Sequence, residues 1–146
     1  MSENTIVRVE EDAQIVATRE VLRQLRPHLP SEERDYVAVV RSIMASDGYR
    51  LAAVVEEGTV RAVAGYRLFT MLYCGRILSL DDFVTDERAR SRGYGARLLT
   101  WLKAEGRAMG CAELHLISRI TREAAHRFYF REGLKSDCYH FRCILS

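Results

Sequence analysis

Apolar residues recur along this chain in two rhythms, and each change of rhythm marks a new element. Residues 5–10 alternate polar and apolar, the period of a strand with one buried face. From Asp12 to Leu25 the spacing lengthens, and Ile15, Val16, Val21, Leu22 and Leu25 fall on one side of a helix with Asp12 as the expected N-cap. Arg26-Pro27-His28-Leu29-Pro30 ends that helix, because a proline excludes its predecessor from helical geometry. A second helix is expected from Ser31, with Tyr36, Val37, Val40, Ile43 and Met44 on one face and Asp47-Gly48 closing it. Residues 51–56 and 60–69 read as strands joined by a Glu-Glu-Gly-Thr turn, and 77–85 as a further strand after Gly75-Arg76.

The second half repeats the alternation. Leu98, Leu99, Trp101, Leu102 and Ala108 cluster on a helix over 96–109, which stops at Gly110. Residues 111–117 are expected as a strand, and a short helix runs from Arg122 or Glu123 to Arg131. The tail, 135–145, reads as one or two closing strands, with Tyr139, Phe141, Cys143 and Leu145 at period two. The resulting order, β-α-α-β-β-β-α-β-α-β, is mixed α/β.

The junction between the strand at 77–85 and the following helix carries the most chemical information. Arg90-Ser91-Arg92-Gly93-Tyr94-Gly95-Ala96 places two glycines, one residue apart, at a strand-to-helix turn. Glycine lets the backbone turn tightly and approach a ligand closely. The first helical turn adds unpaired N–H groups and a positive dipole end, and Arg90 and Arg92 add charge. This is an anion cradle suited to a pyrophosphate. No lysine follows either glycine, which excludes a nucleotide-hydrolysing P-loop, and the third small residue of a dinucleotide fingerprint is missing.

The Arg-x-x-Gly-x-Gly pattern at 90–95 resembles the pyrophosphate loop of the GNAT family of N-acetyltransferases. Ala125-x-x-x-Tyr129-x-x-x-Gly133-Leu134 resembles a second segment of that family, a tyrosine-bearing helix ending at a glycine. Residues 82–87 look like its fourth strand entering the loop. The resemblance covers roughly residues 50–145 in the correct order. It implies a twisted mixed sheet, mostly antiparallel and splayed between its fourth and fifth strands, with acetyl-CoA as co-substrate and transfer to a primary amine by direct attack in a ternary complex.

The resemblance also implies roles. Main-chain N–H groups at Phe83, Val84 or Thr85 would stabilise the oxyanion, and residues 90–96 would hold the pyrophosphate. Tyr129 would protonate the leaving thiolate, since a phenol stays un-ionised at neutral pH. For deprotonating the amine, Asp82 leads over Asp81; the two point to opposite faces of the strand, and water is the alternative. Arg122 stands where many members carry an asparagine that binds the pantetheine arm, and arginine cannot accept a hydrogen bond.

Composition narrows the partners. A chain of 146 residues fits one domain, and 48% apolar with 29% charged residues is a globular balance. A net charge of +2 implies neither nucleic acid nor an anionic membrane as partner. The longest uncharged run, 68–75, is far below membrane-spanning length, and the first residues lack the layout of a secretion signal, so a cytoplasmic location is expected. Cys74, Cys111, Cys138 and Cys143 show no C-x-x-C spacing and are expected as reduced thiols. His28, His115, His126 and His140 are scattered, so no metal is expected. The acceptor is expected to be a small-molecule amine. The segment 125–145 resembles small bacterial members that acetylate primary amines, some of them aminophosphonates, and His126, Arg127 and Arg131 suit an acidic one. A protein acceptor, a catalytically silent coenzyme A sensor and a homodimer remain open.

Overall fold

A computed structural model describes residues 4–146. They fall into two compact units, one running to His115 and the other Leu116–Ser146. The first contains β1 (Asn4–Val9), α1 (Asp12–Leu25), α2 (Glu33–Asp47), β2 (Arg50–Glu56), β3 (Thr59–Met71), β4 (Gly75–Thr85), a 3-10 turn (Glu87–Ala89) and α3 (Tyr94–Ala108). β5 (Glu113–Leu116) follows, and the second unit contains α4 (Glu123–Arg131). The expected α/β order holds through α4.

Local chemistry sets the helix ends. Glu11, not Asp12, is the N-cap of α1, because the Gln14 side-chain carbonyl reaches back to accept the Glu11 N–H at 2.9 Å. Asp12 moves into the first turn, where its carboxylate suits the dipole and binds the Arg41 guanidinium at 2.7 and 2.9 Å. Helix α2 begins two residues later than expected, capped by Glu32, and Gly48 ends it in the left-handed conformation at φ 67°.

The sheet runs in the order β1-β2-β3-β4-β5, and the first three pairings are antiparallel. Its alternating side chains feed two cores. Leu51, Ala53, Val63 and Val84 join Ile15, Val21 and Leu22 of α1, Tyr36 and Val40 of α2, and Tyr49. The buried residues out of phase with them, Ala52, Val54, Ala64 and Leu78, face the side where α3 buries Leu98, Leu99 and Leu102. On that side Arg8 pairs with buried Glu105 at 2.8 and 2.9 Å, and burial together with the Glu105 charge pushes the Tyr66 phenol up to about 12.

The β3–β4 pairing is irregular at one point. Gly65 lies opposite Asp82 but Tyr66 lies opposite Leu80, which leaves Asp81 as the extra residue of a β-bulge. Gly65 is tightly constrained. A Cβ placed there would lie 1.7 Å from the Tyr49 hydroxyl.

The tail departs from expectation. No strand follows β5 among the described residues, and Tyr139, Phe141, Ile144 and Leu145 are exposed. A period-two pattern shows which face a strand would bury, but a strand forms only where a neighbouring edge completes its hydrogen bonds.

Gly65→Ala is expected to lower stability by about 1–3 kcal/mol, the usual scale for overpacking. Thermal unfolding checks this; an unchanged midpoint would refute the close approach of Tyr49.

Candidate acetyl-CoA site and acyl-transfer residues

The candidate anion loop is suspended from the body of the first unit. After β4 the Asp86 N–H donates to the Arg61 carbonyl at 2.8 Å. The buried Asp86 carboxylate accepts the Arg88 N–H at 3.1 Å and the Gln24 amide at 3.3 Å. Gln24 in turn accepts the Glu87 N–H at 2.9 Å, which ties the 3-10 turn to the end of α1. Burial works against ionisation of Asp86, but the Arg88 N–H, the Gln24 amide and the Arg88 guanidinium outweigh it and hold this carboxyl below its usual range.

Beyond this anchor the backbone takes positive φ at Ser91 (65°) and Gly93 (82°). Gly93 is the N-cap of α3. A left-handed residue followed by helical ones forms a concave nest of N–H groups. The first helical bond is from the Arg97 N–H to the Gly93 carbonyl at 3.1 Å, so the N–H groups before it have no acceptor within the helix. Nothing lies within 4 Å of a Cβ built on Gly93, so its backbone conformation, not crowding, calls for glycine. Arg90, Ser91 and Arg92 are exposed, while Gly95 and Ala96 are half-buried. Tyr94 turns inward, and its hydroxyl donates to Glu56 at 2.8 Å, so this residue can offer a ligand only its backbone. The donors, positive dipole end and two arginines fit a pyrophosphate.

On β4, Asp82 receives one donor on each oxygen. Arg26 Nε donates to Oδ1 at 2.9 Å, and the Tyr49 hydroxyl donates to Oδ2 at 2.7 Å. Burial, reinforced by the Asp82 charge, pushes the Tyr49 phenol far above any physiological pH, so it remains a donor. Arg26 also donates to the carbonyl of the bulged Asp81 at 3.1 Å. The Asp81 carboxylate is taken by Arg67 at 2.6 and 3.1 Å. Phe83, Val84 and Thr85 pair with Ala64, Val63 and Ala62 of β3. Their alternate N–H groups point away from that neighbour.

Tyr129 lies in the second unit, on α4, with its side chain buried. Burial raises its phenol pKa, partly offset by the positive charge and the hydrogen bond of Arg122. Arg122 is the N-cap residue of α4. Gly133, at φ 90°, closes the helix as expected, and the Leu134 N–H returns to the Tyr129 carbonyl at 3.0 Å.

The partners of Asp82 and Asp86 were invisible in sequence. Tyr49 reads as one more core aromatic and Arg26 as part of a proline-broken turn. The one usable signal was that a carboxylate within an apolar strand requires a partner. Two of the residues expected to be scattered, Cys74 and His115, do converge, together with Glu113: their ligand atoms lie within 4.8 Å of one another, with Glu113 and His115 in contact at 2.6 Å.

A family model described as the acetyltransferase (GNAT) family matches residues 7–133. The chain belongs to this family. An uncharacterized N-acetyltransferase, YhdJ, of Bacillus subtilis is 31% identical over 123 residues, covering 84% of this chain and 85% of that protein. An aminoalkylphosphonate N-acetyltransferase of Salmonella typhimurium is 34% identical over 94 residues, covering 64% and 59%. Among solved structures, an aminoglycoside N-acetyltransferase in complex with CoA superposes with a TM-score of 0.77 at 17% identity, covering 98% of this chain and 97% of that one. This GNAT protein is an acetyl-CoA-dependent N-acetyltransferase.

Asp86 supplies an acid-dependent contribution to stability. Its native pKa lies below the unfolded value near 3.9, so the contribution is complete above that value and disappears as pH falls through the native one. Asp86→Asn is expected to cost about 1 kcal/mol at neutral pH and to flatten the loss of stability below about pH 4. Thermal melts across pH 3–7 check both; parallel wild-type and variant curves would refute the role.

Proposed function

We propose that this enzyme acetylates the primary amine of a small molecule, by direct attack within a ternary complex and with Tyr129 as general acid. The observation that supports the reading is a buried tyrosine on α4 whose phenol is pushed up by burial. Acetyl-CoA supplies the acyl group as a thioester, and residues 90–96 hold its pyrophosphate. N–H groups of residues 83–85 accept the charge that develops on the carbonyl oxygen. As the amine nitrogen bonds to the acyl carbon and the carbon–sulfur bond breaks, the Tyr129 proton passes to the sulfur. The amine proton leaves through a water hydrogen-bonded to Asp82. Its oxygens already accept from Arg26 and Tyr49 but retain lone pairs for a further donor.

The acceptor we propose is an amine bearing an anionic group. One relative is named for an aminoalkylphosphonate, and α4 carries His126, Arg127 and Arg131. Thiol release from acetyl-CoA, followed over aminophosphonates, sugar amines and amino-terminal peptides, tests this. Release with the first class alone is expected. Release with peptides alone would make the protein a peptide acetyltransferase, and coenzyme binding without release on any acceptor would favour a sensor.

Tyr129→Phe is expected to lower kcat about 100-fold, the usual scale for a general acid, with acetyl-CoA affinity unchanged. A wild-type rate would return Tyr129 to packing. Gly93→Asp is expected to abolish acetyl-CoA binding in calorimetry while thermal unfolding remains cooperative, since a carboxylate would face the pyrophosphate. Undiminished binding would refute the loop assignment.

A further inference from the structure

Two strands and a turn bring three different donor groups together at the start of β4. The β3–β4 pairing closes with Met71 opposite Gly75, so residues 72–74 form the hairpin turn and Gly75 leaves it at φ 84°. The Ala112 N–H donates to the Arg76 carbonyl at 2.7 Å, and Arg76 Nε donates to the Met109 carbonyl at 3.1 Å. The entry to β5 is thereby fixed beside that turn. Glu113 and His115 stand two residues apart on β5, so their side chains leave the same face. Cys74, a free and half-buried thiol, supplies the third group from the turn.

One ligand atom from each of Cys74, Glu113 and His115 lies within 4.8 Å of the other two. His115 Nε2 is 2.6 Å from Glu113 Oε2, and the Tyr73 ring lies 6.3 Å from the imidazole, centroid to centroid. The thiol has only a long contact, to the Gly75 carbonyl at 4.0 Å. A surface ion pair accounts for the carboxylate and the imidazole but gives no role to the sulfur. A sulfur and a ring nitrogen exclude magnesium and calcium, which take oxygen ligands. Thiolate, imidazole and carboxylate are the protein ligands of zinc. Their charges also match, since thiolate and carboxylate together neutralise a divalent cation. Tetrahedral zinc, with bonds of about 2.0–2.3 Å, sets its ligand atoms roughly 3.3–3.7 Å apart. The His115–Glu113 contact must open, and the longest spacing close, by only roughly 1 Å.

We propose that Cys74, Glu113 and His115 form a binding site for a divalent transition cation of the zinc class, with water completing a tetrahedral set. On binding, the thiol proton passes to solvent and the imidazole keeps its proton on Nδ1, which frees the Nε2 lone pair for the ion. The Glu113 carboxylate exchanges its contact with His115 for one with the metal. β4 is 11 residues long, so the acetyl-CoA loop that follows its far end lies roughly 35 Å from Cys74 along the strand. The ion therefore takes no part in acyl transfer. It ties the β3–β4 turn to β5, the last strand in the sheet order. That link closes the long stretch of chain between Cys74 and Glu113, where a clip gains most by restricting the unfolded state.

The test is titration of the full-length protein, stripped with a chelator and kept reduced, with cobalt(II) and then zinc(II). Cobalt is expected to give a thiolate-to-metal charge-transfer band that saturates at one ion per chain and disappears as zinc displaces it. Zinc at about 100 times its dissociation constant is expected to raise the unfolding midpoint by about 5–15 °C. Cys74→Ser is expected to abolish the band. His115→Ala is expected to weaken zinc binding at least about 100-fold, since even an outer partner of a ligand contributes about 10–100-fold. Both substitutions should erase the thermal shift, while far-UV circular dichroism of the metal-free variants matches the wild type. Cys138→Ser combined with Cys143→Ser, which removes the two exposed thiols, is expected to leave the band unchanged. Absence of a saturable band in the wild type would overturn the proposal. So would a band that survives Cys74→Ser, or a zinc affinity indifferent to His115→Ala, either of which would put the ion on other groups.

Discussion

Tyr49 can reach Asp82 only because position 65 carries no side chain. That steric fact organises the middle of the sheet. The tyrosine enters from the end of α2, immediately after the left-handed Gly48, and its hydroxyl occupies the space a Cβ on residue 65 would need. Gly65 lies directly opposite Asp82, at the point where β4 carries its extra residue. The bulge turns two adjacent carboxylates to separate partners, Asp81 to Arg67 and Asp82 to Arg26 and Tyr49. Arg26 then holds the bulge from outside by taking the freed Asp81 carbonyl. A bulge absorbs a change of strand direction while leaving main-chain groups unpaired, and here it comes just before Phe83, Val84 and Thr85.

The end of α1 serves both parts of this arrangement. Arg26 fixes Asp82, and Gln24, two residues earlier, fixes the turn that leads into the anion loop. At the other end of the loop, Tyr94 is bonded to Glu56 at the end of β2. The glycine nest at 93 is thus held at both flanks by side-chain hydrogen bonds to the body of the first unit. Such support keeps a cradle of main-chain donors in place before anything binds, which lowers the entropy lost on binding.

Much of this was legible in the sequence because it depends on short-range rules. Alternation and helical spacing located the strands and α-helices through α4, with the end of α1 at Leu25 as expected. The turn into α3 was legible because Gly93 needs a backbone that only glycine adopts easily, a requirement written in one letter. The cap of α1 was misplaced by one residue, since a reciprocal bond from Gln14 competes with the short side chain of Asp12. The bulge at Asp81 and the Tyr49–Asp82 bond could not be read, because both arise from register between segments dozens of residues apart. The tail failed for a further reason. Its period-two pattern has the form of a strand, yet no strand is formed there among the described residues, because a pattern in one segment does not supply the edge that would complete its hydrogen bonds.

The ion pairs that fix these carboxylates share a chemical property. Arg8, Arg26, Arg41, Arg61, Arg67 and Arg88 make them, and the sequence contains only two lysines, Lys103 and Lys135. Arginine keeps its charge at every accessible pH and presents a flat fork to a carboxylate, whereas a lysine amine is a nucleophile that an acyl thioester can modify. A protein that handles such a thioester at each turnover has therefore built its internal framework from cations its own co-substrate does not consume. Its charge balance and its geometry are insulated from the reagent it carries.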